Sequence, residues 1–382
     1  MSKKTLEIQL TGMAAGGEAL GAAEGKKVFV PWGVPGDLVR VELTEEKKDF
    51  ARGRILELLK KSPDRASPPC PYFFKCGGCQ WQHLKYEAQL RFKNEILKEA
   101  LQRIGKIADP YLKDPIPAPS PLHYRNRIRL QVSRQGEVGF FKAQSKEVVD
   151  IERCLIAEDI LSEKIPEAKS LAKTLLEKDR AKRHEVEIKR DLGRVLVTPD
   201  PQEDAAFVQV NEAVSTRLVQ EAVAALELRG NEKVLELYAG NGNFTFPIAS
   251  GGAGSVTAVE TNEAAVKEGE RRVKAEHRKN VRFIQASAYR FLETEAPPKI
   301  AEEPIYGNVL LDPPRKGALE CLEGIVRMKI PMIVYVSCDP ATLARDVKIL
   351  MDRGYRFDFS QAIDMFPQTS HVESITRLWL PF

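Results

Sequence analysis

From about residue 207 to the C-terminus, short apolar strands alternate with helical stretches, and few architectures accept that order. The strand-like runs are KVLELYAG, SVTAVE, VRFIQA, NVLLD and MIVYVSC, with helical segments between them. Alternation of this kind predicts a parallel sheet wound with helices on both faces, an α/β fold. Ligands of open α/β sheets bind beyond the carboxyl ends of the strands. The residues that follow each run are therefore the first places to look for chemistry.

The N-terminal part reads differently. LEIQLTG, KKVFVPWG, DLVRVELTEE and ARGRILELL are short strands separated by Gly, Pro and charged turns, enough for a small β-barrel. The glycines of GMAAGGEALG mark a tight loop between its first two strands. SPDRASPPC, residues 62–70, is a Pro-rich joint. A Cys-rich turn and a helical stretch, YEAQLRFKNEILKEALQRIG, follow it. A second Pro-rich stretch, DPIPAPSPLHYRNR, leads into the antiparallel-looking RIRLQVSR and EVGFFKA. A basic, helix-rich region to about Arg190 then precedes one more strand, GRVLVTPD. The 382 residues suit two or three domains. The pattern chooses three: residues 1–60, a central α+β unit over 61–205, and the α/β unit over 206–382.

No apolar run approaches the roughly 20 residues of a membrane span. The start, MSKKTLEIQL, has no long apolar stretch or small-residue cleavage site, so it is not a secretory signal. Both point to the cytoplasm, where six cysteines are metal ligands or reactive thiols rather than disulfides. With 58 Lys and Arg against 54 Asp and Glu, the formal charge is only +4. Charge alone does not demand a nucleic-acid partner.

After the strand ending at Leu237 comes Tyr238-Ala-Gly240-Asn-Gly242-Asn243-Phe244, a turn that lets backbone approach a ligand. The third glycine of a dinucleotide fingerprint would fall at Thr245, so that fingerprint is incomplete. Glu260 ends the next strand, where it can accept hydrogen bonds from ribose hydroxyls. A nucleoside without a diphosphate, such as S-adenosylmethionine, suits this set better than NAD. Asp312-Pro-Pro-Arg315 follows a third strand, with two prolines stiffening its exit; the plain alternative is a turn with a capping Asp. Cys338 ends a fourth, either as an exposed nucleophile or as a small buried hydrophobe. His371 and Glu373 lie in a loop near the end of the chain and offer a proton acceptor, or only a solvated turn.

Cys70, Cys76, Cys79 and Cys154 match the ligand number of a [4Fe–4S] cluster. Zinc would use the same set, but paired CxxC knuckles are usual there and only Cys76–Cys79 forms one. Spacing favours iron–sulfur. With ligands on both sides of the helix at 86–104, such a cluster would pin the central unit and act in structure or RNA binding rather than redox chemistry. Cys321 has no visible partner and reads as a helix residue packed on the sheet.

In this order, FVQVN (207–211), ELYAGNGNFTFPIA (236–249), LLDPPRKG (310–317), YVSCDPATLARD (335–346) and DMFPQTSHVES (364–374) resemble the RNA (uracil-5-)-methyltransferase family. The first residues resemble a TRAM domain, and the cysteine set resembles the iron–sulfur motif of the ribosomal-RNA branch. The resemblance implies a Rossmann-like, S-adenosylmethionine-dependent methyltransferase with Cys338 as nucleophile and Glu373 as base. It implies donor binding by Gln209, Tyr238, Gly240, Asn243, Glu260 and Asp312, with Asn243 near the amino-acid part and Glu260 on the ribose. Ser287 stands where many methyltransferases place Asp or Asn near the adenine, and Asp339 where many relatives have Asn.

Such chemistry needs a thiolate to add to carbon 6 of uracil, because carbon 5 is otherwise too weak a nucleophile. It also needs a base to remove the carbon-5 proton, and a target base that is single-stranded or flipped out. Phe207 would stack on that base, or fill the core. The basic runs at 123–129 and 271–282 are the candidate RNA contacts, the second also reading as a solvated helix face. The expected partner is RNA, 23S ribosomal RNA by analogy, met by a monomer. The rival readings are a transfer-RNA uridine enzyme, a cytosine-C5 enzyme, which usually carries Pro-Cys where Pro340 here follows Cys338, and a non-catalytic RNA-binding protein, which would need neither Cys338 nor Glu373.

Overall fold

The computed structural model describes residues 4–179, 181, 183–191, 193–201 and 209–381. Strands β1 (Thr5–Met13), β2 (Ala19–Ala23), β3 (Lys26–Val30), β4 (Leu38–Glu46) and β5 (Phe50–Lys60) close into a barrel in the order β1-β2-β3-β5-β4. Alternation builds its core. Ile8, Leu10, Val28, Val30, Val39 and Val41 point inward while charged neighbours face out.

The Cys-rich turn leads into α1 (Tyr86–Arg103), with Ala88, Phe92, Ile96, Leu97 and Leu101 on its buried face. Gln89 and Lys93, one turn apart, are buried with them. Next comes β6 (Leu112–Ile116), then β7 (Arg127–Val132), β8 (Val138–Phe141), β9 (Val148–Asp150), α2 (Asp159–Ser162), α3 (Ile165–Lys178), β10 (His184–Asp191) and β11 (Arg194–Pro199). The last five strands form an antiparallel sheet, ordered β11-β10-β7-β8-β9. Two of these strands depart from the sequence reading. His184–Asp191 falls in the stretch expected to be helical. HEVEIKRD has period two, with Val186 and Ile188 buried, but its charges disguise the alternation. Leu112–Ile116 falls in a Pro-rich stretch expected to be irregular. It pairs only with one neighbour, at an edge where Pro115 is tolerated.

The rest of the chain is α4 (Glu212–Ala225), β12 (Lys233–Leu237), α5 (Thr245–Ser250), β13 (Ser255–Glu260), α6 (Glu263–Ala275), β14 (Val281–Gln285), α7 (Ala288–Glu295), β15 (Asn308–Leu311), α8 (Leu322–Arg327), β16 (Met332–Ser337), α9 (Pro340–Asp352), β17 (Arg356–Ile363) and β18 (Glu373–Trp379). The sheet order is β14-β13-β12-β15-β16-β18-β17-β6. Strands β12 to β16 are parallel, and β18 runs antiparallel to β16 and β17. β12, β15 and β16 are apolar almost without interruption, as strands covered on both faces must be. On one face Leu235, Leu237, Val309, Leu311 and Ile333 share a core with α1, α9 and the barrel. On the other, Val234, Leu310, Val334 and Val336 pack with α4, α5 and α6. Among the described residues no helix is long and apolar enough to cross a membrane.

Candidate active site

Strand direction assembles the site. The parallel strands β12, β13, β15 and β16 deliver Tyr238, Glu260, Asp312 and Cys338 to one rim of the sheet. Because β18 runs the other way, its first residue, Glu373, starts at that same rim. Ser337 pairs with Ser374 across β16 and β18, and one further step of that register sets Cys338 beside Glu373. Asp312 Nα donates to the Leu237 carbonyl at 3.4 Å, bringing the third strand exit against the glycine turn.

A single cavity of about 1920 Å³ opens at this rim, lined by Gln209, Tyr238, Gly240, Asn243, Glu260, Ser287, Asp312, Cys338 and Glu373. The candidate donor-binding and catalytic residues are thus brought together. The cysteines at 70, 76, 79 and 154 are not among the lining residues, and Phe207 lies outside the described residues.

The glycine turn is tightly specified. Gly242 has φ +99°, and a Cβ there would fall 2.4 Å from the Phe246 ring. Tyr238 holds a left-handed φ of +65°, a conformation found at ligand clamps, and its hydroxyl is 3.2 Å from Cys321 Sγ. Cys321 is buried in a short 3-10 turn, Leu319–Cys321, against the large core. The Glu260 carboxylate accepts the Gly240 N–H at 2.9 Å and those of Thr261 and Asn262 at 2.8 Å each. It therefore ties the turn to β13 and keeps acceptor capacity toward the cavity. Ser287 caps α7, its Oγ accepting from Arg290 Nα at 3.2 Å. Gln209 sits at the seam with the antiparallel sheet, its carbonyl accepting from Asn126 Nδ2 at 3.1 Å.

Burial is the largest influence on the ionisable groups at the chemical end of the cavity. Burial, then the charge of Asp312, raises Glu373 to about 8, against the opposing pull of Arg315. Asp312 reaches the cavity with part of its surface but holds its carboxyl deep, and desolvation lifts it to about 7. Cys338 is raised to about 11 by burial and by Glu373, with Arg315 lowering it and Asp312 raising it. Glu236 beneath the turn is raised to about 8 by burial, although it accepts a hydrogen bond from Thr245 Oγ1. A thiol beside two carboxyls that hold their protons near neutrality is suited to stepwise proton transfer. His371 is pushed down to about 4 by burial, then by the charges of Arg315, Lys93 and Arg125. It is neutral at physiological pH.

Arg315, quoted in the sequence only as part of a strand-exit motif, is the cation that acts on both Cys338 and Glu373. Its carbonyl accepts from Thr342 Oγ1 at 3.1 Å, and its Nη2 lies 3.5 Å from His371 Nδ1. The sequence signal was its place three residues after Asp312 in a Pro-stiffened turn. Arg125 also lines the cavity, with a buried Nε that has no hydrogen-bond partner. Its neighbours in the basic run behave otherwise. Arg127 and Arg129 share a face of β7 as expected, but both pair with the buried Glu187 on β10, which takes their charge away from a ligand. In the second basic run Arg271 pairs with Glu268, and Arg272 and Arg278 pair with Glu276.

The cysteine turn is folded against the antiparallel sheet. Gly77 Nα donates to the Phe141 carbonyl at 2.8 Å, and Glu152 Nα donates to the Tyr72 hydroxyl at 3.0 Å. Those contacts bring Cys154 within electrostatic reach of Cys70, Cys76 and Cys79. All four are free thiols, and Gly78 Nα donates to Cys76 Sγ at 3.4 Å. Yet no three His, Cys, Asp or Glu side chains among the described residues converge closely enough to hold a metal ion. The iron–sulfur centre expected from the spacing is therefore not shown by the described residues. Burial drives Cys76 to about 11 and Cys79 to about 12. These values hold without a metal; a bound metal ion displaces the thiol protons as it is ligated. In number and chemistry the donor set suits an iron–sulfur core; in convergence it does not.

Two family models match the chain: tRNA (Uracil-5-)-methyltransferase over residues 187–380 and the TRAM domain over residues 1–56. The 23S rRNA (uracil(1939)-C(5))-methyltransferase RlmD of Shewanella woodyi is 33% identical over 97% of this chain and 95% of its own. An uncharacterized RNA methyltransferase of Aquifex aeolicus is 32% identical over 99% of both chains. Among solved structures, the tRNA (uracil-54, C5)-methyltransferase of Pyrococcus abyssi, in complex with S-adenosyl-L-homocysteine, is similar with a TM-score of 0.71. That match has 25% identity and covers 97% of this chain and 99% of that one.

Proposed function

Because the chain belongs to the RNA (uracil-5-)-methyltransferase family, we propose that it methylates a uridine of 23S ribosomal RNA with Cys338 as nucleophile and Glu373 as base. The observation that carries the reading is the β16–β18 ladder, which sets thiol and carboxyl side by side in the cavity that Asp312 and Arg315 also line. The 23S assignment is supported by the relative in Shewanella, whose named substrate that is, and by its match along nearly the whole chain.

In this mechanism Cys338 first ionises, its proton passing to solvent water at the open rim of the cavity, and the thiolate Sγ then bonds to carbon 6. The C5–C6 electron pair then moves toward the uracil oxygen as an enolate. Arg315, fixed at the rim through its carbonyl, stands where a cation can offset that charge. Carbon 5 attacks the methyl group of the sulfonium donor, which leaves as the neutral thioether. Glu373, in the carboxylate form it reaches near pH 8, then takes the carbon-5 proton. The double bond re-forms, the C6–Sγ bond breaks to return the thiolate, and the carboxyl releases its proton to water for the next turnover. The donor would lie over the glycine turn, with its ribose on Glu260 and its amino-acid part near Asn243. Gln209, Tyr238, Gly240 and Asp312 complete its walls, and Ser287 offers its backbone and capping hydroxyl near the adenine. The target base must leave its helix to enter the cavity.

We further propose that Cys70, Cys76, Cys79 and Cys154 draw together around a [4Fe–4S] core. When bound it would supply a cross-link between the Cys-rich turn and the sheet of β7 to β9, with no part in methyl transfer. The support is four free thiols in one neighbourhood, with a backbone N–H already directed at Cys76 Sγ. Anaerobic purification with iron and sulfide analysis tests it, and a colourless protein with stoichiometric zinc overturns it.

Cys338→Ala should abolish methylation while leaving donor binding intact, measured by methyl incorporation and by calorimetry with the donor. RNA carrying 5-fluorouridine should trap wild-type enzyme as a covalent adduct through Cys338, because fluorine replaces the removable proton. Substantial turnover by Cys338→Ala sinks the assignment. Mapping 5-methyluridine in RNA from cells with and without the gene tests the substrate, and loss confined to transfer RNA overturns the choice of 23S.

A further inference from the structure

The loop of residues 364–372, between β17 and β18, ends on Glu373 and brings Phe366 and His371 to the cavity. Its backbone is held from many parts of the chain. Gln368 sits at a left-handed φ of +68°. Its carbonyl accepts from Gln80 Nα and Trp81 Nα at 3.0 Å each. The Pro367 carbonyl accepts from the Tyr124 hydroxyl at 3.1 Å, and that of Met365 from Asn211 Nδ2 at 3.2 Å.

The firmest hold comes from α1. Lys93 is 2% exposed, and its Nζ lies 2.5 Å from Asp364 Oδ1 and donates to the Phe366 carbonyl at 3.0 Å. One turn earlier, Gln89 Oε1 accepts from Gln368 Nα at 2.9 Å, and its Nε2 donates to Gln368 Oε1 at 3.0 Å. Two buried polar side chains on one helix face thus grip both halves of one loop. A Lys is almost never this buried unless paired. Desolvating such a pair costs several kcal/mol per ion, so an apolar pair of similar volume would serve stability as well. What the ionic pair adds is direction: the ammonium fixes a carboxylate and a carbonyl two residues apart at once.

We propose that Lys93 and Gln89 are positioning residues for the proton-abstraction step, acting through the loop that delivers Glu373. The inference rests on the reading of Glu373 as the carbon-5 base. It gives α1, which lies before the segment matched by the methyltransferase family model, a defined part in the reaction. If the clamp is loosened, the base should misplace while the thiol and donor sites, built on other strand ends, stay intact.

Lys93→Met leaves Asp364 buried and unpaired, so the informative variants are the charge-free double Lys93→Met/Asp364→Asn and the single Gln89→Met. With the RNA transcript that wild-type enzyme methylates, and a donor labelled in its methyl group, kcat should fall roughly 10- to 100-fold. The KM for the donor should stay within about twofold. The separating readout is a denaturing gel. A slowed base step leaves labelled RNA attached through Cys338, so methylated adduct should accumulate in the variants and not in wild type. Wild-type kcat in both folded variants, kcat and adduct falling together, or loss of folding in both would each overturn the proposal. Failure of Glu373→Gln to accumulate the same methylated adduct would instead overturn the reading of Glu373 as the base, leaving the two failures distinct.

Discussion

At the scale of single residues the pocket is governed by proton placement. Cys338 is raised to about 11 by burial, and next by the charge of Glu373, which itself ionises only near 8. Below that pH Glu373 is neutral and cannot repel a thiolate; above it, it can. Glu373→Gln should therefore leave Cys338 alkylation unchanged in weakly acidic buffer and move its midpoint to lower pH above about 8. Peptide mass spectrometry after timed iodoacetamide treatment measures this site by site. Superimposable profiles would mean that the carboxylate is not felt at the sulfur. A second prediction concerns stability. Glu236, fully buried, holds its proton to about 8, while in an unfolded chain it ionises near 4.3. The folded state binds the extra proton, so this stabilising contribution is complete below the unfolded value and is lost as pH rises through the folded one. The slope is at most about 1.4 kcal/mol per pH unit for the group. Glu236→Gln should flatten the fall of unfolding free energy between pH 5 and 8, read from urea titrations at each pH.

At the scale of elements, α9 begins two residues after Cys338, and its start is a cap. Asp339 Oδ1 accepts from Ala341 Nα at 3.0 Å and Thr342 Nα at 2.9 Å, with Pro340 opening the first turn. A residue with no role readable in the sequence thus fixes the exit of β16. Asp339→Ala should cost about 1 kcal/mol, seen as a lower urea midpoint at unchanged slope, whereas Asp339→Asn should cost only a fraction of that. Equal losses would argue for a charge effect rather than the cap. The strand exits were legible because chemistry there concentrates rare residue types: glycines that permit φ above zero, paired prolines, a lone thiol. His184–Asp191 was not, since charges stand on both of its faces and Glu187 is buried only through Arg127 and Arg129. Nor was Lys93, because a Lys within an amphipathic helix ordinarily belongs to the solvated side. Only its distant partner, Asp364, makes it a core residue. The cysteines were legible as a set, but their spacing carries no statement of how far apart the unligated thiols settle.

At the scale of the whole molecule, the barrel is packed against the loop that ends on Glu373 rather than tethered beside it. Its core residues share one apolar cluster with α1 and the large sheet, and the Trp81 indole, fully buried, donates to the Gly17 carbonyl at 3.0 Å. Gly17 has φ +89°, and a Cβ there would lie 2.9 Å from Ser370 Cβ and 3.2 Å from Trp81 Nε1. Ser370 belongs to the loop that ends on Glu373, so a turn at residue 17 touches the segment that carries that carboxyl. Gly17→Ala meets two penalties, a left-handed backbone that disfavours any Cβ and an overpacked contact, together about 1–3 kcal/mol. A barrel that served only as an RNA-binding appendage would pass that loss to its own stability and to RNA affinity. A barrel that braces the loop should pass it to the loop. Hydrogen exchange of residues 364–372 should then rise in Gly17→Ala, and kcat should fall more than RNA affinity does. Unchanged exchange in that loop, with weakened RNA binding alone, would return the barrel to the role of an appendage.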